Sequence, residues 1–287
     1  LFTVVHEQFM TETAEMADIV LPATMFLEHN DYYTRGGHTR VLYGPKLIKA
    51  PGEARSNHFV INEVAKRVGA DAAVLGQTDR EVVAEVFAAS GYGDLDEIEK
   101  TGYVDRALPD AEARFANGFG WPDGKYRFRP DWETTRIKRG ALWVCDPAEM
   151  SGMVDFMDWN EKVSDETPFR LATSPARTFL NSNLNETPGS RKREGSPSLL
   201  MHPVDAARLG LADGAAVTVG NHRGSVELTL RIFDGLREGV AVAEGLHPHK
   251  AHRKGRGINT LIGSDPVKPF GGAAFHDATV WVRVSDA

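Results

Sequence analysis

His202-Pro203-Val204-Asp205-Ala206-Ala207-Arg208-Leu209-Gly210-Leu211-Ala212-Asp213-Gly214-Ala215-Ala216-Val217-Thr218-Val219-Gly220-Asn221-His222-Arg223-Gly224 is the stretch whose reading decides the fold. It predicts a short helix over 203–209, stopped by Gly210, and a turn at Asp213-Gly214. Residues 215–220 then read as a strand that pairs with 225–232 as a hairpin, through Asn221-His222-Arg223-Gly224. Working outward, Asp234-Gly235 and Glu238-Gly239 turn the chain into Val240-Ala241-Val242-Ala243. Thr279-Val280-Trp281-Val282-Arg283-Val284 alternates as a closing strand. Upstream, an apolar strand at Leu171-Ala172 runs into a polar loop, Thr173-Ser174-Pro175-Ala176-Arg177-Thr178-Phe179-Leu180-Asn181-Ser182-Asn183. Several short strands with regular turns predict a small closed barrel.

The chain has 287 residues, enough for two domains with cores of their own. Hydrophobic content of 41% and charged content of 25% place it among globular proteins. A net charge of −7 argues against a nucleic-acid partner, because phosphate binding needs a surplus of Lys and Arg. No apolar run approaches the roughly 20 residues of a membrane span. A single cysteine, Cys145, provides no disulfide framework, no CxxC pair and no thiolate set for zinc or an iron–sulfur centre; it reads as a small buried hydrophobe.

Residues 1 to about 70 read as the tail of an α/β domain. Leu1-Phe2-Thr3-Val4-Val5 is strand-like, lacks the marks of a signal peptide and suggests a chain that begins inside a sheet. Thr11 is placed to cap a short helical stretch, and Asp18-Ile19-Val20-Leu21-Pro22 to form a strand closed by proline. Two strands so spaced suit a parallel connection. Ser56 caps a second helix whose Val60, Ile61, Val64, Ala65 and Val68 repeat at helical spacing up to Gly69, and this helix is expected to be core scaffold. Residues 79–89 and 94–100 have helical patterns, Gly118-Phe119-Gly120-Trp121 is a turn-rich aromatic stretch expected to pack, and residues 150–167 read as a linker.

The order of these motifs resembles the molybdopterin oxidoreductases of the dimethyl sulfoxide reductase family. The resemblance rests on Glu12-Thr13-Ala14, Ala17-Asp18-Ile19-Val20-Leu21-Pro22, Glu28 and Pro51-Gly52-Glu53-Ala54-Arg55. Further on it rests on His202-Pro203-x-Asp205-Ala206, Gly210-Leu211-x-Asp213-Gly214, Val217-x-Val219 and Gly224. It covers 1–70 and 168–285. The fold it implies is the α/β tail of a parallel-sheet domain followed by a six-stranded double-psi β-barrel, mixed α+β overall. The implied divisions are 1–70 as the end of the catalytic region, 71–167 as a variable helical insertion and linker, and 168–287 as the dinucleotide-binding barrel. Formate-dehydrogenase-like members carry an acidic-Gly-Arg-x-Gln pattern where this chain has Asp31-Tyr32-Tyr33-Thr34-Arg35-Gly36-Gly37-His38-Thr39-Arg40, which disfavours that branch. Arg35, His38 and Arg40 read equally as partners of an anion and as an exposed cationic loop.

The resemblance also implies a site. Thr173, Ser174, Arg177, Thr178 and Asn181 match the family loop that contacts one pterin guanine dinucleotide, a ligand that needs hydroxyls, amides and a cation at close quarters. Asn259 matches an Asn that hydrogen-bonds a pterin, and Phe275 and His276 a late loop that meets the second pterin. No catalytic residue and no metal ligand match within the chain. The implied cofactors are two molybdopterin guanine dinucleotides with molybdenum or tungsten. An iron–sulfur cluster would lie in an N-terminal part beyond this sequence. The implied partners are those N-terminal domains, a small-molecule substrate and an electron-transfer partner, and localisation stays unassigned. The chain is thus expected to be an inactive piece of an oxidoreductase. The alternatives are a non-catalytic cofactor-binding subunit docking on a metal-bearing polypeptide, and a stand-alone barrel for protein contacts. Arg191-Lys192-Arg193 reads as a solvated face. The run from His247 to Arg256 holds three histidines among four cations, a set that repels a metal and suits phosphates or docking.

Overall fold

Short apolar runs bounded by capping residues and glycines give this chain many small elements, which gather into two compact units, Leu1–Tyr126 and Arg127–Ala287. The structure, a computed structural model, describes residues 1–70, 75–133, 146–153, 160–181, 183–268 and 271–285. Cys145 and part of the expected 150–167 linker lie outside the described residues.

In the first unit β1 (Val4–Glu7) and β2 (Ile19–Pro22) pair in parallel, Val4 opposite Ile19 and Glu7 opposite Pro22. The crossover carries α1 (Glu12–Glu15), whose expected N-cap holds: the Thr11 hydroxyl accepts the Ala14 N–H at 3.3 Å. β3 (Asp31–Thr34), β4 (Arg40–Gly44) and a later strand, β5 (Tyr103–Asp105), form an antiparallel sheet. Before β5 come α2 (Asn57–Arg67), α3 (Asp79–Ala89) and α4 (Leu95–Thr101). α3 starts in a capping box, with the Glu81 carboxylate accepting the Thr78 N–H at 2.7 Å. Val41 and Tyr43 of β4 pack with Val83, Phe87, Leu95 and Ile98 to make this unit's core.

In two places this unit departs from expectation. α2 forms where Ser56 caps it, but none of its residues is buried, and Phe59, Ile61, Val64 and Val68 are exposed. Apolar periodicity records a face, not the layer that would bury it, so α2 is not core scaffold within this unit. In the aromatic stretch Phe119 stacks on Phe115 and meets the edge of Tyr126, yet Trp121, Phe115 and Tyr126 are largely exposed: a surface cluster rather than a core.

The second unit is the barrel. β6 (Phe169–Ser174), β7 (Ser198–Met201), β8 (Ala216–Asn221), β9 (Gly224–Ile232), β10 (Val240–Glu244) and β13 (Ala278–Val284) close in the order β10-β6-β13-β8-β9-β7. Between β10 and β13, β11 (Pro266–Val267) and β12 (Gly272–Ala273) form a small separate ribbon. Two barrel pairs, β6–β10 and β7–β9, are parallel and the other four antiparallel. This is the closed six-stranded barrel the sequence predicts, and the α/β elements before it complete a mixed α+β chain. Every barrel strand is paired on both sides, so no edge is left to template aggregation.

Inward-facing Phe169, Leu171, Leu199, Met201, Val217, Val219, Leu230 and Val280 fill the barrel. The predicted short helix is present as Pro203–Arg208, and its Asp205 side chain is fully buried. That carboxylate accepts the Gly239 N–H at 2.7 Å and the Arg208 guanidinium at 2.6 Å, which fixes the turn that launches β10. Across the β8–β13 pair Gly220 lies opposite Trp281, whose indole fills the space a side chain there would need. A Cβ there would sit 2.3 Å from the ring. Gly220→Ala is therefore expected to destabilise the barrel by about 1–3 kcal/mol through overpacking, measured as a lower urea midpoint with unchanged slope.

Candidate cofactor-binding site

Strand register decides which loops meet. β13 enters the barrel with Ala278 opposite Leu171, while β10 leaves it with Glu244 opposite Ser174. The loop after β6, the loop after β10 and the loop before β13 therefore share one end of the barrel. Two hydrogen bonds tie them. The Thr173 hydroxyl donates to the Phe275 carbonyl at 3.3 Å, and the Gly245 N–H donates to the Ser174 carbonyl at 2.8 Å. Gly245 has φ +80° and lies under Phe179 and Ala176, so a side chain there would strike Phe179 at 2.7 Å. Glycine is needed for both its conformation and its size.

Within the first loop Phe179 is buried and anchors the segment, meeting His247 edge-on at 5.2 Å. Arg177 and Asn181 are exposed, and Asn181 takes a left-handed conformation at the tip of the Leu180–Asn183 turn. Thr178 is occupied: its N–H and hydroxyl both donate to the Glu194 carboxylate at 2.6 Å, and its carbonyl accepts the Ser190 hydroxyl at 2.9 Å. Sequence reading missed Glu194, which follows the exposed Arg191-Lys192-Arg193 run on the helix Pro188–Glu194. The Thr178 hydroxyl, with the Thr178 N–H and His247 adding to it, holds the Glu194 carboxyl below its ordinary value, and partial burial only opposes this. The loop thus already cradles a carboxylate on a main-chain N–H and a hydroxyl.

Phe275 and His276 are exposed and touch one another with ring centroids 4.5 Å apart. Asn259 stands on a different support: it is exposed on the 3-10 turn Ile258–Leu261, whose Ile258 and Leu261 are buried in the barrel core. The structure brings the 173–181 loop and Phe275 into contact and seats Asn259 separately. In the histidine-rich loop, burial lowers the affinity of His247 and His252 for a proton. Lys254 pairs with the buried Glu227. Neither ring nitrogen of the buried His252 makes a hydrogen bond among the described residues. Among those residues, no group of three or more His, Cys, Asp or Glu side chains could hold a metal, and no helix is long and apolar enough to cross a membrane.

The first unit has its own candidate, a cleft of about 540 Å³ at the C-terminal ends of β1 and β2, where parallel sheets bind ligands. His6, Glu7, Thr24, His29 and Tyr33 line it. The Thr24 hydroxyl and His29 Nδ1 share a 2.8 Å hydrogen bond, and burial raises the Tyr33 phenol above its usual range. Arg35, His38 and Arg40 lie outside this cleft, exposed around the β3–β4 turn, with Arg40 stacked over Tyr103.

Comparison with known proteins fits this geometry. Residues 169–280 match the molydopterin dinucleotide binding domain, and residues 1–67 match the molybdopterin oxidoreductase domain. The dimethyl sulfoxide/trimethylamine N-oxide reductase of Rhodobacter capsulatus is 31% identical over 265 residues, which cover 83% of this chain and 31% of that protein. This chain belongs to the dimethyl sulfoxide reductase family of molybdopterin oxidoreductases. A probable oxidoreductase of Bacillus subtilis, YoaE, is 29% identical over 287 residues, 99% of this chain and 40% of its own length. The chain therefore spans well under half of the curated relatives it matches. Among solved structures, acetylene hydratase from Pelobacter acetylenicus has the same fold over 99% of this chain and 40% of its own, with a TM-score of 0.77 and 21% identity.

The Thr178–Glu194 contact gives a pH test. Because the Glu194 value is depressed, the contact is fully made above the ordinary carboxyl value of 4.5 and is lost as pH falls through the lower folded value. The Thr178 amide resonance is expected to titrate in that acid window, and Glu194→Gln should abolish the titration.

Proposed function

We propose that this chain is part of a longer molybdenum oxidoreductase and holds two molybdopterin guanine dinucleotides between its elements and the rest of the polypeptide. The observation that carries the reading is the convergence of the 173–181, 245–247 and 275–276 loops at one end of the barrel, with a main-chain N–H and a hydroxyl already arranged around a carboxylate. That donor set suits an anionic, base-bearing ligand. The proposed divisions are 1–70 for the end of the catalytic region, 71–167 for insertion and linker, and 168–287 for the dinucleotide-binding domain. The short coverage of the relatives supports assigning the metal's protein ligand, any iron–sulfur cluster and the substrate funnel to other residues of that polypeptide. Tungsten in place of molybdenum is compatible with the same residues.

When bound, the cofactor supplies a metal centre that changes oxidation state as an oxygen atom or a hydride equivalent is exchanged with a small substrate. The chain's own residues orient it and set its electrostatics. Arg177, exposed on the first loop, offers a guanidinium to the diphosphate. Thr173, Ser174, Thr178 and Asn181 offer donors and acceptors to the nucleotide, and Asn259, Phe275 and His276 to the pterins. Glu194 must yield part of its hold on Thr178 where a phosphate takes the same donors. On this reading the chain alone does not turn over, and an electron-transfer partner acts on the complete enzyme.

The reading is tested by calorimetric titration with guanosine diphosphate, the nucleotide half of the ligand. Arg177→Ala is expected to weaken binding about tenfold or more, the loss of one charge-assisted contact, at an unchanged melting temperature. Equal binding by the wild type and the variant would support the stand-alone barrel instead.

A further inference from the structure

The hairpin turn between β8 and β9 and the segment before β6 meet in an arrangement that the loops of the candidate site alone do not explain. Glu161 reaches two elements at once. Its carboxylate accepts the Arg223 guanidinium at 2.5 Å, and it also accepts the Thr279 N–H at 2.8 Å and the Thr279 hydroxyl at 3.1 Å. Next to it, the Asn160 amide donates to Asp277 at 3.3 Å, and Asp277 has a left-handed backbone directly after His276. Asn160 and Glu161 thus fasten the root of the Phe275-His276 loop at Asp277 and at Thr279.

Arg223 faces the other way as well. Its second guanidinium nitrogen donates to the Leu261 carbonyl at 3.3 Å, and the Asn221 amide donates to that same oxygen at 2.8 Å. The Asn221 side-chain oxygen in turn accepts the Arg223 N–H at 2.9 Å, which sets the turn. Leu261 ends the 3-10 turn that presents Asn259. The fit is close. A Cβ at Gly224 would lie 2.8 Å from the Thr260 methyl, and one at Gly263 would lie 3.1 Å from the guanidinium. Arg223 and Glu161 are each about a quarter exposed, and Arg223 lines a cavity of about 190 Å³ together with His276. Burial pushes the Glu161 carboxyl up, but the Thr279 N–H, the Arg223 guanidinium and the Thr279 hydroxyl together hold it below its ordinary range.

We propose that the Arg223–Glu161 pair is a positioning clamp that fixes the Asn259 turn and the Phe275-His276 loop relative to one another, and so sets the spacing of the pterin contacts. The role of those contacts rests on the function proposed above; the clamp itself rests on the distances. An arginine suits the position because its planar fork serves a carboxylate and a carbonyl at once, which a lysine's single ammonium does less well. Breaking either side leaves a half-buried charge unpaired and frees both loops.

The test uses the chain with Arg223→Ala, Arg223→Lys, Glu161→Gln and the double change Arg223→Ala with Glu161→Gln. Hydrogen exchange is expected to quicken about tenfold or more in both 258–263 and 275–279 in each alanine or glutamine variant. The barrel strands and the 173–181 loop should be unaffected. Arg223→Lys should restore part of the protection, and the double variant should lose less than the sum of the two single losses, as for two groups that act through one another. Binding of 6-carboxypterin, read by its fluorescence, should weaken in parallel, while guanosine diphosphate binding stays within twofold of the wild type. Faster exchange in only one of the two segments, in neither, or uniformly across the barrel would overturn the clamp. If Arg223→Ala does not fold, Arg223→Lys and Glu161→Gln decide by the same pattern. Failure of the wild type to bind guanosine diphosphate would count against the proposed function, and the exchange pattern would still decide the clamp.

Discussion

The register of β13 against β6 is the constraint on which the meeting of loops at one end of the barrel depends. Once Ala278 lies opposite Leu171, residues just before β13 have to emerge beside residues just after Leu171, so Phe275 reaches Thr173 across 102 positions of sequence. A slip of one residue would turn Val280 and Val282 from the core to the outside and carry the 275–276 loop away. The inward Phe169, Leu171 and Val280 hold the register because each is buried only in this pairing. Closure of the barrel adds the second half of the constraint. With both neighbours of β6 fixed, one parallel and one antiparallel, the strand has no freedom to re-pair.

Features governed by neighbours in sequence were the readable ones. The caps at Thr11 and Ser56, the turn at Asp213-Gly214, the hairpin through 221–224 and the short helix ended by Gly210 all rest on conformational preferences within a few residues. The periodicity of α2 was readable too, but its burial was not, because burial depends on a layer that the helix cannot encode by itself. The loops of the candidate site were legible only through resemblance of motif order. Their supports were not, since Glu194 acts on Thr178 across 16 residues and Glu161 acts on Thr279 across 118. No local pattern marks either glutamate. The Asn221-x-Arg223-Gly224 turn carries a hairpin signal, but nothing local marks that its two polar side chains both turn toward Leu261.

Charge is used locally rather than globally here. The chain is acidic overall, yet Arg177 stands exposed on the first loop while Glu194 sits beneath the same loop on a main-chain donor. That carboxylate ties the loop to the helix Pro188–Glu194 through the Thr178 N–H and hydroxyl. Asp205 uses the same chemistry for a different end: fully buried and satisfied by the Gly239 N–H and Arg208, it serves the fold alone. Two carboxylates with similar partners are thus separated in role by what lies beside them, solvent and an open loop in one case and the barrel wall in the other.

The uncovered face of α2 has a consequence for the life of the polypeptide. Ile61, Val64 and Val68, spaced to fall on one helix face, present an apolar stripe to water on a helix with no buried residue. Contiguous apolar surface of this kind binds whatever apolar surface it meets first. A newly made chain carrying it would be a substrate for holdase chaperones and a target for surveillance proteases until the stripe is sheltered. Concealment of that stripe would then act as the checkpoint between a folded segment and a persistent protein.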